Sequence, residues 1–173
     1  MYCLPLLNIT SIDYKPHQGV RMRTMEEAKE ILGLTGKSPK YSYGRTSAKR
    51  LADCRTEIAM VAELALYYRD FSVVTGHRDE ATQNRMVAEK KSKAVWPKSK
   101  HNVYPSKAID LVPYNGGLCY DHKECAYAAG VVQMLFNVVL GHDCARNGAD
   151  WDRDYSMTDT NFIDSTHFEL MID

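Results

Sequence analysis

An aspartate stands alone inside the apolar run Ala108-Ile109-Asp110-Leu111-Val112. The run is short, aliphatic and followed by turn sequence, so it predicts a buried strand. An ionised carboxylate inside such a strand is costly unless it is paired or binds a metal. Nine residues earlier, in Ser99-Lys100-His101-Asn102, a histidine opens the polar loop that leads into the strand. A second histidine, His167, lies near the end of the chain in Asp164-Ser165-Thr166-His167-Phe168-Glu169-Leu170. His101, Asp110 and His167 are candidate ligands of a catalytic zinc. Such sites hold the ion with three His, Asp or Glu side chains and leave one position for water. Any fold must then bring the loop, the strand and the last element to one point.

The surrounding pattern is mixed. Thr46 or Ser47 can cap a helix running to about Tyr68, with Leu51, Cys54, Ile58, Val61, Ala62, Ala65 and Leu66 at helical spacing. Phe71–Thr75 is β-rich and ends at Gly76. A second helix is expected from Glu80 to about Lys91, with Asp79 near its cap. Pro113-Tyr114-Asn115-Gly116-Gly117 is a turn. Asp121–Leu140 predicts a third helix, apolar on most sides from Ala126 onward, which Gly141 closes. Asn147–Asp154 is expected to be a polar turn holding Trp151, and His167–Ile172 a last strand. Helices and strands without regular alternation point to an α+β fold. Residues 1–42 are expected to form an N-terminal extension of unknown role, with a short helix opened by the capping-box pattern Thr24-x-x-Glu27, and residues 43–173 a catalytic domain.

Composition narrows the function classes. Lys and Arg total 22, as do Asp and Glu, so the formal net charge is zero and a nucleic-acid partner is not expected. Locally, Lys90, Lys91, Lys93, Lys98 and Lys100 make a basic approach to His101, either a solvated loop or a contact for an anionic polymer. Five cysteines without a CxxC pair are no disulfide framework and suit a reducing cytosol. Met1–Leu7 lacks the basic start and apolar core of a signal peptide, and no run is long enough for stable membrane insertion.

The chemistry needs more than three ligands. A carboxylate beside a metal can take a proton from the attacking water and pass it to the leaving amine, and Asp164 lies three residues before His167. Glu169 shares a face with His167 by strand alternation and can orient its ring. Spacing alone leaves a metal-free reading open, in which His101 is a loop histidine, Asp110 pairs with a lysine and His167 is a satisfied edge residue.

A wider set of segments carries a resemblance. Ser99-x-His101, Pro105-Ser106-x-Ala108-x-Asp110-Leu111-Val112-Pro113-Tyr114 and the terminal Asp164-x-x-His167-Phe168-Glu169-Leu170 are joined, in order, by others. These are Ser47-Ala48-Lys49-Arg50-Leu51, Asp70-Phe71-Ser72-Val73-Val74-Thr75-Gly76-His77-Arg78, Gln83 and Gly148-Ala149-Asp150-Trp151-Asp152. Over residues 43–173 this resembles the D-Ala-D-Ala carboxypeptidase-like zinc peptidases, which share the hedgehog-type fold of a small antiparallel sheet packed with helices. Within them it most resembles phage endolysins that act as L-alanyl-D-glutamate endopeptidases. The loop from His101 to Asp110 is two residues longer than in the shorter form of the family motif.

The resemblance implies Zn2+ on His101, Asp110 and His167, Asp164 as catalytic base and acid, Arg78 as a catalytic and substrate-binding cation, and Gln83 as a substrate-binding residue. It implies cleavage of a bacterial peptidoglycan stem peptide by a monomer made in the host cytoplasm and released through a membrane pore. Two alternatives share the fold: a D-Ala-D-Ala carboxypeptidase or dipeptidase of wall metabolism, and a non-enzymatic wall-binding module. Structural zinc sites are usually closed by four ligands, so three ligands and a spare carboxylate favour catalysis.

Overall fold

The computed structural model describes residues 21–159 and 161–172. Cys3, His17 and the first part of the expected extension lie outside the described residues. The elements are helices α1 (Met25–Ile31), α2 (Arg45–Ala52), α3 (Thr56–Ala65), α4 (Glu80–Ala88) and α5 (His122–Leu140), and strands β1 (Phe71–Thr75), β2 (Ala108–Pro113), β3 (Ala145–Gly148) and β4 (Asp164–Leu170). The strands form one antiparallel sheet in the order β1-β2-β4-β3. Helices pack on one face. Phe71, Val73, Ile109, Leu111, Phe168 and Leu170 project from that face into a core shared with Ile58, Leu64, Leu135 and Phe136. The alternation of β2 and β4 sends Asp110, His167 and Glu169 to the other face. The fold is thus α+β, with its core and its chemistry on opposite sides of a four-stranded sheet.

Four elements differ from the sequence reading. The single helix expected from Thr46 to Tyr68 is two, because residues 53–55 leave the helix to pair with Ser106: Ser106 N donates to Asp53 O, Arg55 N donates to Ser106 O, and Cys54 bridges Ser106. The polar turn expected from Asn147 begins inside a strand, β3, which pairs with β4. β4 begins at Asp164, so His167 lies in mid-strand. Helix α5 also keeps an exposed face, at Tyr127 and Met134.

Elsewhere the local chemistry acts as expected. Thr24 and Glu27 form the capping box of α1. Asp79 accepts from Thr82 N, and Asp121 from Lys123 N and Glu124 N. α1 docks on α5, where Arg23 N donates to Val139 O and Ala28 is fully buried. α2 covers the open edge of β1: Val73 N donates to Ser47 Oγ, and Arg50 Nη1 to Val73 O. Exposed strand edges invite wrong pairing, and this one is closed by side chains.

Gly76 sits where β1 meets α2. A Cβ there would lie 2.3 Å from Arg50 O and 3.0 Å from Cys54 Sγ. Backbone cannot yield as a side-chain tip does. Gly76→Ala is therefore expected to destabilise the fold by about 1–3 kcal/mol or more, read as a lowered midpoint in urea unfolding. Because Gly76 O also holds His101, the same variant is expected to bind metal more weakly.

Candidate metal centre

Register builds the site. Asp110 on β2 stands directly opposite His167 on β4, and directly opposed residues of an antiparallel pair share a face. The third group arrives from a loop. A short 3-10 turn, Lys100–Asn102, is capped reciprocally by Ser99 and Asn102 and carries His101 over the same face. Ser106 fixes the loop's return: its hydroxyl donates to Ala108 O at 2.7 Å and lies 3.3 Å from Gly76 O.

Three ligand atoms converge. His101 Nε2 lies 3.2 Å from His167 Nδ1, His167 Nδ1 is 3.0 Å from Asp110 Oδ1, and His101 Nε2 is 3.2 Å from the same oxygen. Groups that each sit about 2.0–2.2 Å from a shared ion need separations of this order. The outer nitrogens set the tautomers. His101 Nδ1 is 2.7 Å from Gly76 O and donates to it. His167 Nε2 is 3.1 Å from Glu169 Oε2 and donates to that carboxylate. The inner nitrogens then both present lone pairs, beside a carboxylate oxygen. Three acceptors at this distance repel one another unless a cation or a proton lies between them, so the donor set fits a divalent ion.

Without an ion, a proton on His167 takes that place. Burial opposes charge on His167, but hydrogen bonds to Asp110 and Glu169 outweigh it and pull the ring up to about 9. Burial pushes Asp110 up, yet His101 and His167 hold its carboxyl well below the usual range. The raised pKa of His167 stabilises the ion-free fold fully below the ring's ordinary value of 6.5 and is lost as pH rises through about 9. A metal needs the same nitrogen bare. Metal uptake is therefore expected to expel about one proton, and affinity to fall about tenfold per pH unit below about 9. Titration calorimetry in buffers of differing ionisation enthalpy checks this; a pH-independent affinity would contradict it.

The other predicted residues separate into different roles. Arg78 is only 6% exposed. Its Nη2 lies 3.4 Å from Asp110 Oδ2, its Nη1 donates to Gln83 Oε1 at 3.1 Å, and its buried Nε has no partner among the described residues. Its cation therefore faces a candidate ligand. Gln83 is 0% exposed and has no surface to offer a substrate. It accepts from Arg78 and Asn102 and donates to Ser92 Oγ and Ala94 O, so it acts as a polar hub. Its amide oxygen takes two hydrogen bonds and its amide nitrogen gives two, all within the protein. Asp164 is half-buried and takes a hydrogen bond from Thr166 Oγ1 at 3.0 Å. Its charge is felt at Arg78, as is that of Asp110, and it is not one of the three residues whose ligand atoms converge.

Of the remaining support, Glu169 stands where strand alternation puts it, beside His167, whereas Arg146 and Asn147 were not singled out in the sequence. Glu169 receives His167 on one oxygen and Arg146 on the other, with Arg146 Nε at 2.9 Å and Nη2 at 2.7 Å. Arg146 Nη1 continues to Trp151 O, and the Trp151 ring stacks on His167 with centroids 5.6 Å apart. A chain of contacts thus runs from the loop through a guanidinium and a carboxylate to the ring. Asn147 holds the place where β3 and β4 lose register, donating to Ser165 O and His167 O. Its signal in the sequence is weak, because an Asn beside Gly reads as a turn. His77 packs edge-on against Tyr104 with ring centroids 5.2 Å apart, away from the ligand set. His122 and His142 are exposed.

Comparison with known proteins adds independent findings. The family described as phage L-alanyl-D-glutamate peptidase matches residues 39–171. The L-alanyl-D-glutamate peptidase of Escherichia phage T5 is 32% identical over 138 residues, covering 76% of this chain and 98% of that protein. The crystal structure of the Serratia marcescens L-Ala D-Glu endopeptidase ChiX aligns with a TM-score of 0.57 and 24% identity, over 76% of this chain and 91% of that one. At that identity the last comparison speaks to fold alone.

Proposed function

The chain belongs to the phage L-alanyl-D-glutamate peptidase family, and on that premise we propose that it is a zinc peptidase that cuts the L-alanyl–D-glutamate bond of peptidoglycan stem peptides during host lysis. The observation that carries the metal assignment is the convergence of two histidine lone pairs and a carboxylate oxygen within 3.2 Å of one another. His101, Asp110 and His167 would hold the ion. Zinc there supplies an acidified water and polarises the scissile carbonyl.

The protein groups do the rest. Asp164 accepts the proton of the attacking water and returns it to the leaving amine. Arg78, charged and buried behind Asp110, holds that carboxylate in place and biases the site towards developing negative charge. Glu169 keeps the His167 ring in the tautomer that faces inward, and such partners typically govern metal affinity by about 10–100-fold. The catalytic unit is residues 43–173, acting as a monomer. Its place of action is the cell wall, reached through a membrane pore. No helix among the described residues is long and apolar enough to cross a membrane.

The test is to digest purified peptidoglycan and read the fragments by mass spectrometry. New L-alanine carboxyl and D-glutamate amino ends are expected, with loss of activity in a chelator and recovery on zinc addition. Release of free D-alanine instead would move the protein to carboxypeptidase chemistry.

A further inference from the structure

On the helical side of the sheet's end lies a cavity of ≈ 510 Å³ unconnected with the ligand cluster. Tyr41, Tyr68, Tyr114 and Tyr127 line it together with Arg69 and Asp70. Its volume is in the range of small-ligand sites. Two other tyrosines show what packing looks like in this fold: Tyr43 donates its hydroxyl to Ala62 O, and Tyr67 donates to Lys37 O. The four cavity tyrosines are 39–71% exposed. Among the described residues none of their hydroxyls has a hydrogen-bond partner and none of their rings a ring partner.

The charge of the cavity is also informative. Arg69 is taken by Glu124, with Nη2 2.5 Å from Oε2. The side chain of Asp70 is half-buried and has no hydrogen-bond or ion-pair partner among the described residues. The walls therefore offer flat apolar ring faces, hydroxyls able to give or take a hydrogen bond, one acceptor carboxylate and no free cation. An anionic peptide finds no counter-charge there. A neutral pyranose does find its complement: its C–H face lies on aromatic rings, and its hydroxyl rim donates to carboxylate and phenol oxygens.

We propose that this cavity binds the neutral N-acetylated amino sugars of the glycan strand while the stem peptide is cut at the metal centre. The proposal rests on the peptidoglycan reading above. The two sites lie on opposite faces of the sheet, so a bound glycan strand has to pass round the end of β2. Tyr114 follows Asp110 by four residues, about 13 Å of strand. The scissile bond lies about two residue lengths, some 7 Å, from the sugar that bears the stem, and neighbouring sugars of the strand span the remainder.

The probe is the tetramer of N-acetylglucosamine, which carries no peptide, titrated into the full chain and followed by NMR. Shifts centred on Tyr41, Tyr68, Tyr114 and Tyr127 are expected. Tyr68→Ala/Tyr127→Ala and Asp70→Asn are each expected to weaken binding by about tenfold or more with the folded spectrum retained, because all three side chains reach solvent. His101→Ala, which removes a ligand of the proposed metal, is expected to bind the tetramer as the wild type does. The glycan result thus stands or falls separately from the peptidase result. No shift at millimolar tetramer, or shifts confined to the face bearing His101 and His167, would overturn the proposal. So would equal binding by the double tyrosine variant.

Discussion

Replacing Asp164 by alanine is expected to lower peptidoglycan cleavage by about 10²–10⁴-fold while leaving metal bound. The side chain is half-buried, and among the described residues its one hydrogen bond comes from Thr166 Oγ1. Its loss therefore removes no core contact, and the triangle of His101, Asp110 and His167 stays intact. The informative result is the split between two measurements: one zinc per chain by elemental analysis, and turnover near background. Asp164→Ala protein that cleaves the wall at the wild-type rate would end the proton-transfer role. Loss of zinc together with activity would make the residue part of the metal cage instead.

His101→Ala is expected to lose metal and activity together, with turnover down by about a thousandfold or more, or about 4 kcal/mol of barrier. Two things make this site unforgiving. The ring is 1% exposed, so its removal leaves a hole that solvent fills poorly, and Gly76 O loses its partner. The remaining pair, His167 and Asp110, are 3.0 Å apart and can satisfy each other through a proton. The variant should therefore fold with that proton locked in place and take up zinc only weakly. Circular dichroism separates this outcome from unfolding, and retained stoichiometric zinc would exclude His101 as a ligand.

Much of the centre is legible in the sequence. An apolar strand with one carboxylate constrains its environment strongly, and period-two alternation put Glu169 beside His167, where the structure finds it at 3.1 Å. The failures have physical causes. Leu51 to Leu66 keeps helical spacing through residues 53–55 with no Gly or Pro to interrupt it, and only the distant Ser106 breaks it. Ala145-Arg146-Asn147-Gly148 has no β-branched residue and ends in glycine, so its strand character comes from pairing with β4. Gln83 and Arg78 are residue types that usually meet solvent. Their burial follows from satisfying one another, with Asn102, across three separate segments. Local sequence does not encode such closure.

The mismatch between β3 and β4 has a further meaning. Asn147 pairs with Phe168 but the next residue, Gly148, pairs with Asp164, so Ser165, Thr166 and His167 are surplus on that side. Asn147 clamps the surplus at both ends through Ser165 O and His167 O. The interval from Asp164 to His167 is consequently not metered by the sheet's pleat. Phe168 and Leu170 anchor the core whatever happens upstream of them, so a residue deleted or inserted between Asp164 and His167 would leave the hydrophobic interior untouched. What would change is the reach between a proposed proton carrier and a proposed metal ligand. The fold holds an adjustable gauge at that point, and its length can be reset by evolution or by design without the core having to be rebuilt.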